Sequence, residues 1–409
     1  MKYDGIIIGG GPAGMFAAIT AARLGQRVLL LERGNRLGKK LLITGKGRCN
    51  VTNDCDVREV LKNIPRNGRF LYSALSSCTP EDVMQFFEDL GCQLKTERGN
   101  RVFPVSDRSA SVLEALRQGM LQTKVKVAYE KRATEILAQD SRVIGVAVGR
   151  EKLLSDWVLL ATGGKSYPTT GSTGDGYALA ERLGHKIVPP VGALVPLEAE
   201  EDCALMQGLS LRNVGVRLVD ENGKQLFSDF GELLFTHFGV SGPTVLSASS
   251  HLTASGCKLL IDLKPGLDEN KLNERLLRDL QMYRNRSMEN ALTDLLPRSM
   301  IPVVLKRLEI DPAMQANALN KQKRRSMVEL LKAFPVGIYG KRPVEEAIIT
   351  SGGIDVSQIN PKTMESKLIN GLYFAGEVID CDAYTGGFNL QIAWSTAYAA
   401  ATAASSSSY

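Results

Sequence analysis

The fold is decided by the opening run Gly5-Ile6-Ile7-Ile8-Gly9-Gly10-Gly11-Pro12-Ala13-Gly14 and by the residues after it, up to Glu32. The unbroken β-branched triplet Ile6–Ile8 predicts a strand buried on both faces, as in a parallel sheet. Gly9, Gly11 and Gly14 fit the G-x-G-x-x-G spacing. An alanine-rich run from Ala13 to Leu24 predicts a helix, and Gly25 stands where its C-cap belongs. Arg27–Leu31 is the next strand, ending at Glu32. Each residue type has a physical task. Gly9 permits the tight turn, Gly11 lets backbone approach a pyrophosphate, and Gly14 lets the helix pack on the strand. The helix N-terminus, with Pro12 and Ala13, offers unpaired N–H groups and partial positive charge to phosphates. Glu32 is placed to accept from a ribose diol and would repel a 2′-phosphate. The unit therefore reads as a dinucleotide site.

Two later segments select the dinucleotide. The apolar strand Ser155–Leu160 runs into Ala161-Thr162-Gly163-Gly164, after an expected β-meander from about Val125 to Arg150. Near the other end, Gly371-Leu372-Tyr373-Phe374-Ala375-Gly376-Glu377 is followed by Tyr384-Thr385-Gly386-Gly387-Phe388-Asn389-Leu390-Gln391, which opens a helix expected to reach about Ala404. The pair resembles the second half of two-dinucleotide-fold flavoproteins, in which glycines turn the chain beside FAD and a final acid binds the ribityl chain. Backbone N–H groups at the start of that helix would stabilise negative charge on a reduced flavin. A free-standing NAD domain needs no such second motif.

Lys39-Lys40-Leu41-Leu42-Ile43-Thr44-Gly45-Lys46-Gly47-Arg48-Cys49-Asn50-Val51-Thr52-Asn53 is similar to the K-K-x-x-x-[ST]-G-x-G-R-C-N-x-T-N block of the BaiN/RdsA-type family of NAD(P)/FAD-dependent oxidoreductases. Further matching blocks are Thr170–Gly176, Gly231–Gly239, Thr350–Ile354 and Ala375–Trp394, so the resemblance spans essentially the whole chain. Lys46 departs from it, since glycine is the commoner residue there. The resemblance implies an α/β fold: an FAD/NAD(P)-binding Rossmann-like domain, residues 1–192 and 343–409, with a β-rich inserted domain at 193–265 and a small helical domain at 266–342. It implies FAD contacts at Gly9, Gly11, Pro12, Ala13, Gly14, Glu32, Arg33, Lys40, Gly47, Arg48, Ala133, Thr162, Gly163, Gly164, Asp175, Gly376, Glu377, Gly387, Phe388, Asn389 and Leu390. Asp175 has two readings, as a cap for a helix starting near Tyr177 or as a cofactor contact.

The inserted stretch has its own signals. Val214–Val219 alternates, Asn222-Gly223 marks a hairpin, and Leu272, Leu276 and Leu280 recur at helical spacing within an expected helical stretch from Asp268 to about Phe334. From Lys264 to Arg342 there are 16 Lys+Arg against 9 Asp+Glu, a net of +7 in a chain of net +6. The densest patch, Lys321-Gln322-Lys323-Arg324-Arg325, suits either a solvated helix face or a phosphate backbone. The serine tail 405–408 is expected to fray.

Composition narrows the setting. The 409 residues, 44% of them hydrophobic, suffice for two or three domains. Seven cysteines without a C-x-x-C pair exclude a disulfide framework or zinc ribbon, and three scattered histidines exclude the common zinc motifs, so no metal site is expected. Neither a secretory segment nor an apolar run of about 18 residues is present, which predicts a cytoplasmic protein without membrane contact.

Within the family the expected chemistry is reduction of an activated C=C bond, in a steroid enone or in a ribosomal RNA uridine. The partner is accordingly a small-molecule substrate or ribosomal RNA. Alternatives are an amine oxidase releasing hydrogen peroxide and a non-catalytic flavin-containing RNA-binding protein. No second G-x-G-x-x-G exists, so NAD(P)H would act only as a transient electron donor. Candidates for chemistry are Arg48 as an anion holder, Cys49 as a proton donor to carbon and His237 as a general acid, with Tyr384 and Thr385 lining the pocket.

Overall fold

In the computed structural model, residues 2–200, 202–252 and 256–406 are described, and the chain divides into two compact units, Met1–Ala193 with Val344–Tyr409, and Leu194–Pro343.

The first unit is built on a parallel sheet. Its strand order is Lys126–Ala128, Val28–Leu31, Tyr3–Ile8, Glu151–Leu160, with Leu372–Phe374 pairing the far side of the last. Ile6, Ile7 and Ile8 sit opposite Leu29, Leu30 and Leu31 on one side and Val158, Leu159 and Leu160 on the other. All of these are buried, as the continuous apolar runs require of strands covered on both faces. The start of the long strand Glu151–Leu160 pairs instead with Arg142–Val148, which pairs with Glu135–Gln139; the meander expected from about Val125 thus begins at Glu135, because Lys126–Ala128 joins the parallel sheet beside Val28–Leu31. The opening helix, Pro12–Arg23, packs against the closing helix, Phe388–Ser406. The closing helix is alanine-rich and buried on nearly every face, the pattern of a helix inside a core. The expected fraying at the tail is corrected in part. Ser405 and Ser406 continue the closing helix, and Ser405 is buried and donates to the Ala401 carbonyl at 2.7 Å. Residues 407 and 408 lie outside the described residues.

The second unit is a closed barrel in the order Leu197–Ala199, Gly239–Ser241, Gln225–Thr236, Ser210–Val219, Lys258–Asp262, Phe334–Lys341. The Asn222-Gly223 signal marks a real hairpin: Val219 pairs Gln225, and Asp220 Oδ1 accepts from the backbone of Asn222 and Lys224, both at 2.9 Å. The helices Glu269–Met282, Met288–Ala291, Ile301–Arg307 and Lys321–Lys332 lie between two neighbouring barrel strands in sequence. This differs from the sequence expectation in two ways. The last stretch assigned to a helical domain, Phe334–Lys341, is a barrel strand. Barrel residues Val216, Leu259 and Ile261 also share one hydrophobic core with helix residues Leu272, Leu276, Val304 and Leu331, so strands and helices form one unit. No helix among the described residues is long and apolar enough to cross a membrane.

Candidate functional site

The three motif glycines differ in what surrounds them. A Cβ on Gly14 would lie 1.9 Å from the Gly9 carbonyl oxygen, and one on Gly9, where φ is +112°, would lie 2.4 Å from that of Ala161. These two are glycines because helix and strands meet there. A Cβ on Gly11, at φ −82°, would meet nothing within 4 Å. The opening helix begins just beyond it with Pro12 and has no side-chain cap, and its first backbone bond runs from Met15 to Gly11. The N–H groups of Ala13 and Gly14 are thus left for an outside acceptor. Open space beside an uncapped helix N-terminus fits a pyrophosphate. Glu32 braces the same place: Oε2 accepts from Gly10 N at 2.9 Å and Oε1 from Gly34 N at 2.6 Å.

The closing helix offers a second uncapped end. Gly386 and Gly387 have φ of +125° and +98°. A Cβ on Gly387 would sit 2.4 Å from the Thr52 carbonyl oxygen, so the turn is pressed onto the Arg48–Asn53 block. The block is stitched to the helix by three contacts. Asn53 Nδ2 donates to the Gly386 carbonyl at 3.0 Å, Thr52 Oγ1 to Gln391 Oε1 at 2.5 Å, and Trp394 Nε1 to the Val51 carbonyl at 2.9 Å. Gln391 N makes the first intrahelical bond, to Gly387, which leaves the N–H groups of Phe388, Asn389 and Leu390 ahead of it.

Beside the Gly376 turn lies a polar knot. Lys40 Nζ reaches Glu377 Oε2 at 2.6 Å and Ser166 Oγ at 2.7 Å. Glu377 Oε1 also accepts from Ser166 Oγ at 3.0 Å and Thr350 N at 2.8 Å, while Thr350 Oγ1 accepts from Lys165 N and Ser166 N. Gly376 adjoins both helices, since a Cβ there would lie 3.1 Å from Ala13 Cβ and 3.8 Å from Ala393 Cβ. The opening and closing motifs thus stand on one side of the sheet. Thr162 Oγ1, Tyr177 Oη and Asn50 Oδ1 are buried with no hydrogen-bond partner. Burial, then Glu377 and Asp380, push the Tyr177 phenol upward. Of these, Thr162 Oγ1 follows the strand Glu151–Leu160 directly and is a polar atom that a dinucleotide's polar groups could satisfy.

Residues 3–403 match the family model described as HI0933-like protein Rossmann domain. The chain belongs to that family. It is 31% identical to the 3-dehydro-bile acid delta(4,6)-reductase of Clostridium scindens, with 97% of this chain and 98% of the relative covered. It is 32% identical to the ribosomal RNA dihydrouridine synthase of Escherichia coli K12, with 98% and 97% covered. The resemblance carried by the Arg48–Asn53 block is thereby borne out. Among solved structures, the 3-ketosteroid delta1-dehydrogenase of Sterolibacterium denitrificans, in complex with 1,4-androstadiene-3,17-dione, superposes with a TM-score of 0.54 at 13% identity, with 99% of this chain and 100% of that one covered. The 3-ketosteroid-delta4-(5alpha)-dehydrogenase of Rhodococcus jostii RHA1 gives 0.51 at 16%, with 99% and 97% covered. The shared feature at that identity is the fold. The family fold is the FAD-binding Rossmann fold of oxidoreductases, and the two helix ends and the orphaned Thr162 Oγ1 fit that cofactor.

Several expectations for single residues are corrected. Arg48 is already engaged: Glu97 Oε1 at 2.5 Å, Asp107, and the face of Phe103, 4.1 Å from the ring centre, hold it, and the two acids keep it charged. Cys49 is fully buried in the apolar core, and burial pushes its thiol well above the usual range, so it presents no face to a substrate carbon. Asp175 caps nothing, because the helix Asp175–Glu181 has Gly174 at its N-cap, and the carboxylate pairs instead with Arg33 and Arg132. The Asn389 side chain is spent bracketing Ala383, whose N–H it accepts at 2.9 Å and whose carbonyl it donates to at 2.7 Å. His237 is exposed in the turn between two barrel strands, its ring 4.9 Å from that of Phe238, and it belongs to the second unit. Lys46 stands at φ +56°, a left-handed backbone that explains why glycine is common there.

Ser166, Asp380 and Asp382 carry no role in the sequence reading, and Thr350 enters it only as part of a matching block. Ser166 and Thr350 complete the polar knot. Asp380 and Asp382, both buried, share Arg66, at 3.2 and 3.8 Å. A sequence signal exists for the two aspartates, which flank Cys381, a residue buried in the fold.

Proposed function

We propose that this chain is an FAD-dependent reductase that adds hydride and a proton across a C=C bond conjugated to a carbonyl, in a steroid enone or in the uracil ring of ribosomal RNA. The observation that carries the reading is the pair of uncapped helix N-termini, at Gly11–Gly14 and Gly387–Leu390, on one side of one sheet. The N–H groups of Ala13 and Gly14 hold the pyrophosphate, and Glu32 meets the adenosine ribose. Ala133, Gly163, Gly164 and the Gly376 turn border the rest of the cofactor. FAD, when bound, supplies the hydride and takes electrons from a transient donor such as NAD(P)H. The N–H groups of Phe388, Asn389 and Leu390, with the helix partial charge behind them, stabilise the negative charge of the reduced ring. Tyr384 and Thr385, just before that helix and half-exposed, face the substrate; no role in proton delivery rests on Arg48 or Cys49. Full-length similarity to a bile acid reductase and to a dihydrouridine synthase supports C=C reduction as the reaction class.

The test is to reduce the purified yellow protein anaerobically with NADH or NADPH and offer it a 4-ene-3-ketosteroid, while ribosomal RNA from a deletion strain is examined by mass spectrometry for lost dihydrouridine. Reoxidation by the steroid assigns the small molecule, and loss of dihydrouridine restored by the gene assigns the RNA. Reoxidation by neither, with stoichiometric peroxide from an amine, would overturn the reading.

A further inference from the structure

The charged residues at the adenosine end are arranged as a closed triad, and resting on the FAD reading we propose that Asp175 is a positioning residue that clasps three chain segments around the cofactor's adenosine. Arg33 comes directly after Glu32, and its Nη1 lies 2.9 Å from Asp175 Oδ2. Arg132 precedes Ala133 and grips the same carboxylate with both arms of its guanidinium, Nε to Oδ2 at 2.8 Å and Nη2 to Oδ1 at 3.0 Å. Thr173 Oγ1 donates to Oδ1 at 3.0 Å and also receives Arg33. One carboxylate therefore holds two cations and a hydroxyl.

The three segments matter because of what adjoins them. The Glu32–Gly34 stretch and the 130–132 stretch are joined by backbone bonds, Lys131 N to Glu32 O and Glu130 N to Gly34 O, both 3.0 Å. The third stretch, 172–176, packs on the residues just past the strand Glu151–Leu160: a Cβ on Gly163 would be 3.2 Å from Ser172 Oγ, and one on Gly176 would be 2.1 Å from Thr162 Oγ1. Asp175 joins the third stretch to the other two. Its side chain is 20% exposed, against 37% for Arg33 and 62% for Arg132, so the acid is the enclosed centre and the arginines the outer arms. Bidentate, charge-assisted contacts of this kind are the stronger and more directional class of ion pair. Tied together in this way, the segments bearing Glu32, Ala133 and Thr162 resist being spread apart, which would slow release of a cofactor held between them.

The experiment measures FAD release from holoprotein diluted into a large volume of flavin-free buffer, followed by the rise in flavin fluorescence, alongside thermal unfolding of the flavin-free protein. Asp175→Asn keeps the size and removes the charge. We expect release faster by on the order of tenfold or more, since both arginines lose their carboxylate partner. Asp175→Glu should recover most of the retention, and Arg132→Gln, a change at the exposed arm, should give a smaller rise. Raised salt should speed release from wild type and leave Asp175→Asn almost unaffected. The flavin-free midpoint should fall only slightly, because the two arginine arms are largely exposed. Release at the wild-type rate in Asp175→Asn overturns the clasp, and so does faster release that only tracks a fall in the flavin-free midpoint. A wild-type protein purified without flavin overturns the FAD reading itself.

Discussion

Replacing Gly11 and Gly14 one at a time by alanine should separate what the glycine turn does for the fold from what it does for the cofactor. At Gly14 the new methyl would stand 1.9 Å from the Gly9 carbonyl oxygen and 3.4 Å from the Ile7 side chain. Backbone there must move, and overpacking of this kind costs about 1–3 kcal/mol or more. At Gly11 the methyl meets no protein atom within 4 Å, and φ −82°, ψ −174° is ordinary extended backbone. Gly11→Ala should therefore leave the flavin-free protein as stable as wild type or more so by roughly 0.4–1 kcal/mol, because the unfolded chain loses freedom. The same methyl fills the space through which phosphate oxygens approach the N–H groups of Ala13 and Gly14. Loss of one or two charge-assisted hydrogen bonds, about 1.5–3 kcal/mol each, predicts FAD binding weaker by roughly ten- to ten-thousand-fold. Fluorescence titration with FAD and thermal melts of the flavin-free protein measure both. If Gly11→Ala binds FAD as wild type does, the pyrophosphate does not lie there, and the reasoning fails.

Three further outcomes are expected. His185 is buried; Ser366 Oγ accepts from Leu368 N and Ile369 N and so donates to His185 Nε2 at 2.8 Å, which places the ring proton on Nδ1, facing the Ala180 carbonyl. Burial holds its pKa below the usual 6.5, so stability is steady above that pH and falls below it as the unfolded chain takes up a proton, by at most about 1.4 kcal/mol per pH unit. Denaturant titrations at pH 7.5 and 5.5 should show a slope that His185→Gln reduces. Cys49→Ala should keep single-turnover hydride transfer within about twofold, while costing roughly 1–2 kcal/mol of stability for the small cavity; a thousandfold loss of rate would restore the thiol as proton donor. Replacing Lys323 and Arg324 by glutamine should lower the melting temperature more than it changes RNA affinity in filter binding. Lys323 is engaged by the Leu308 carbonyl, and Arg324 donates to Asn273 at 3.0 Å.

The legible parts of this protein are those whose physics is local. A strand, a glycine turn and a helix leave their mark within Gly5–Glu32, and the closing helix announces itself in the glycines just before Phe388. The helix boundaries fell within one residue at Pro12–Arg23, whereas the closing helix ran two residues past the expected Ala404 because a buried serine at 405 bonds back to Ala401. What the sequence hid was pairing across distance. Arg48 looked available because its acids stand at 97 and 107, and Lys40 looked like a cofactor contact because Glu377 lies 337 residues on. Strand Phe334–Lys341 was folded into the helical assignment because barrel closure depends on partners at Lys258–Asp262 and Leu197–Ala199, which its own alternation does not name.

The division of the first unit by a 150-residue excursion, from Leu194 to Pro343, has a consequence for how the protein is made. The chain departs and returns at adjoining strands, where Ala193 pairs Ile349, so the sheet tolerates the gap once complete. During synthesis it is not complete. The last parallel strand, the acid Glu377 and the whole closing helix arrive only after the excursion has been translated, which at 5–20 residues per second is on the order of ten seconds or more. Through that interval the apolar faces of the opening helix wait without their partner. A messenger cut short between the end of the excursion and Phe388 would yield a polypeptide carrying the early signatures of the fold and no finished core, a ready client for chaperones and proteases.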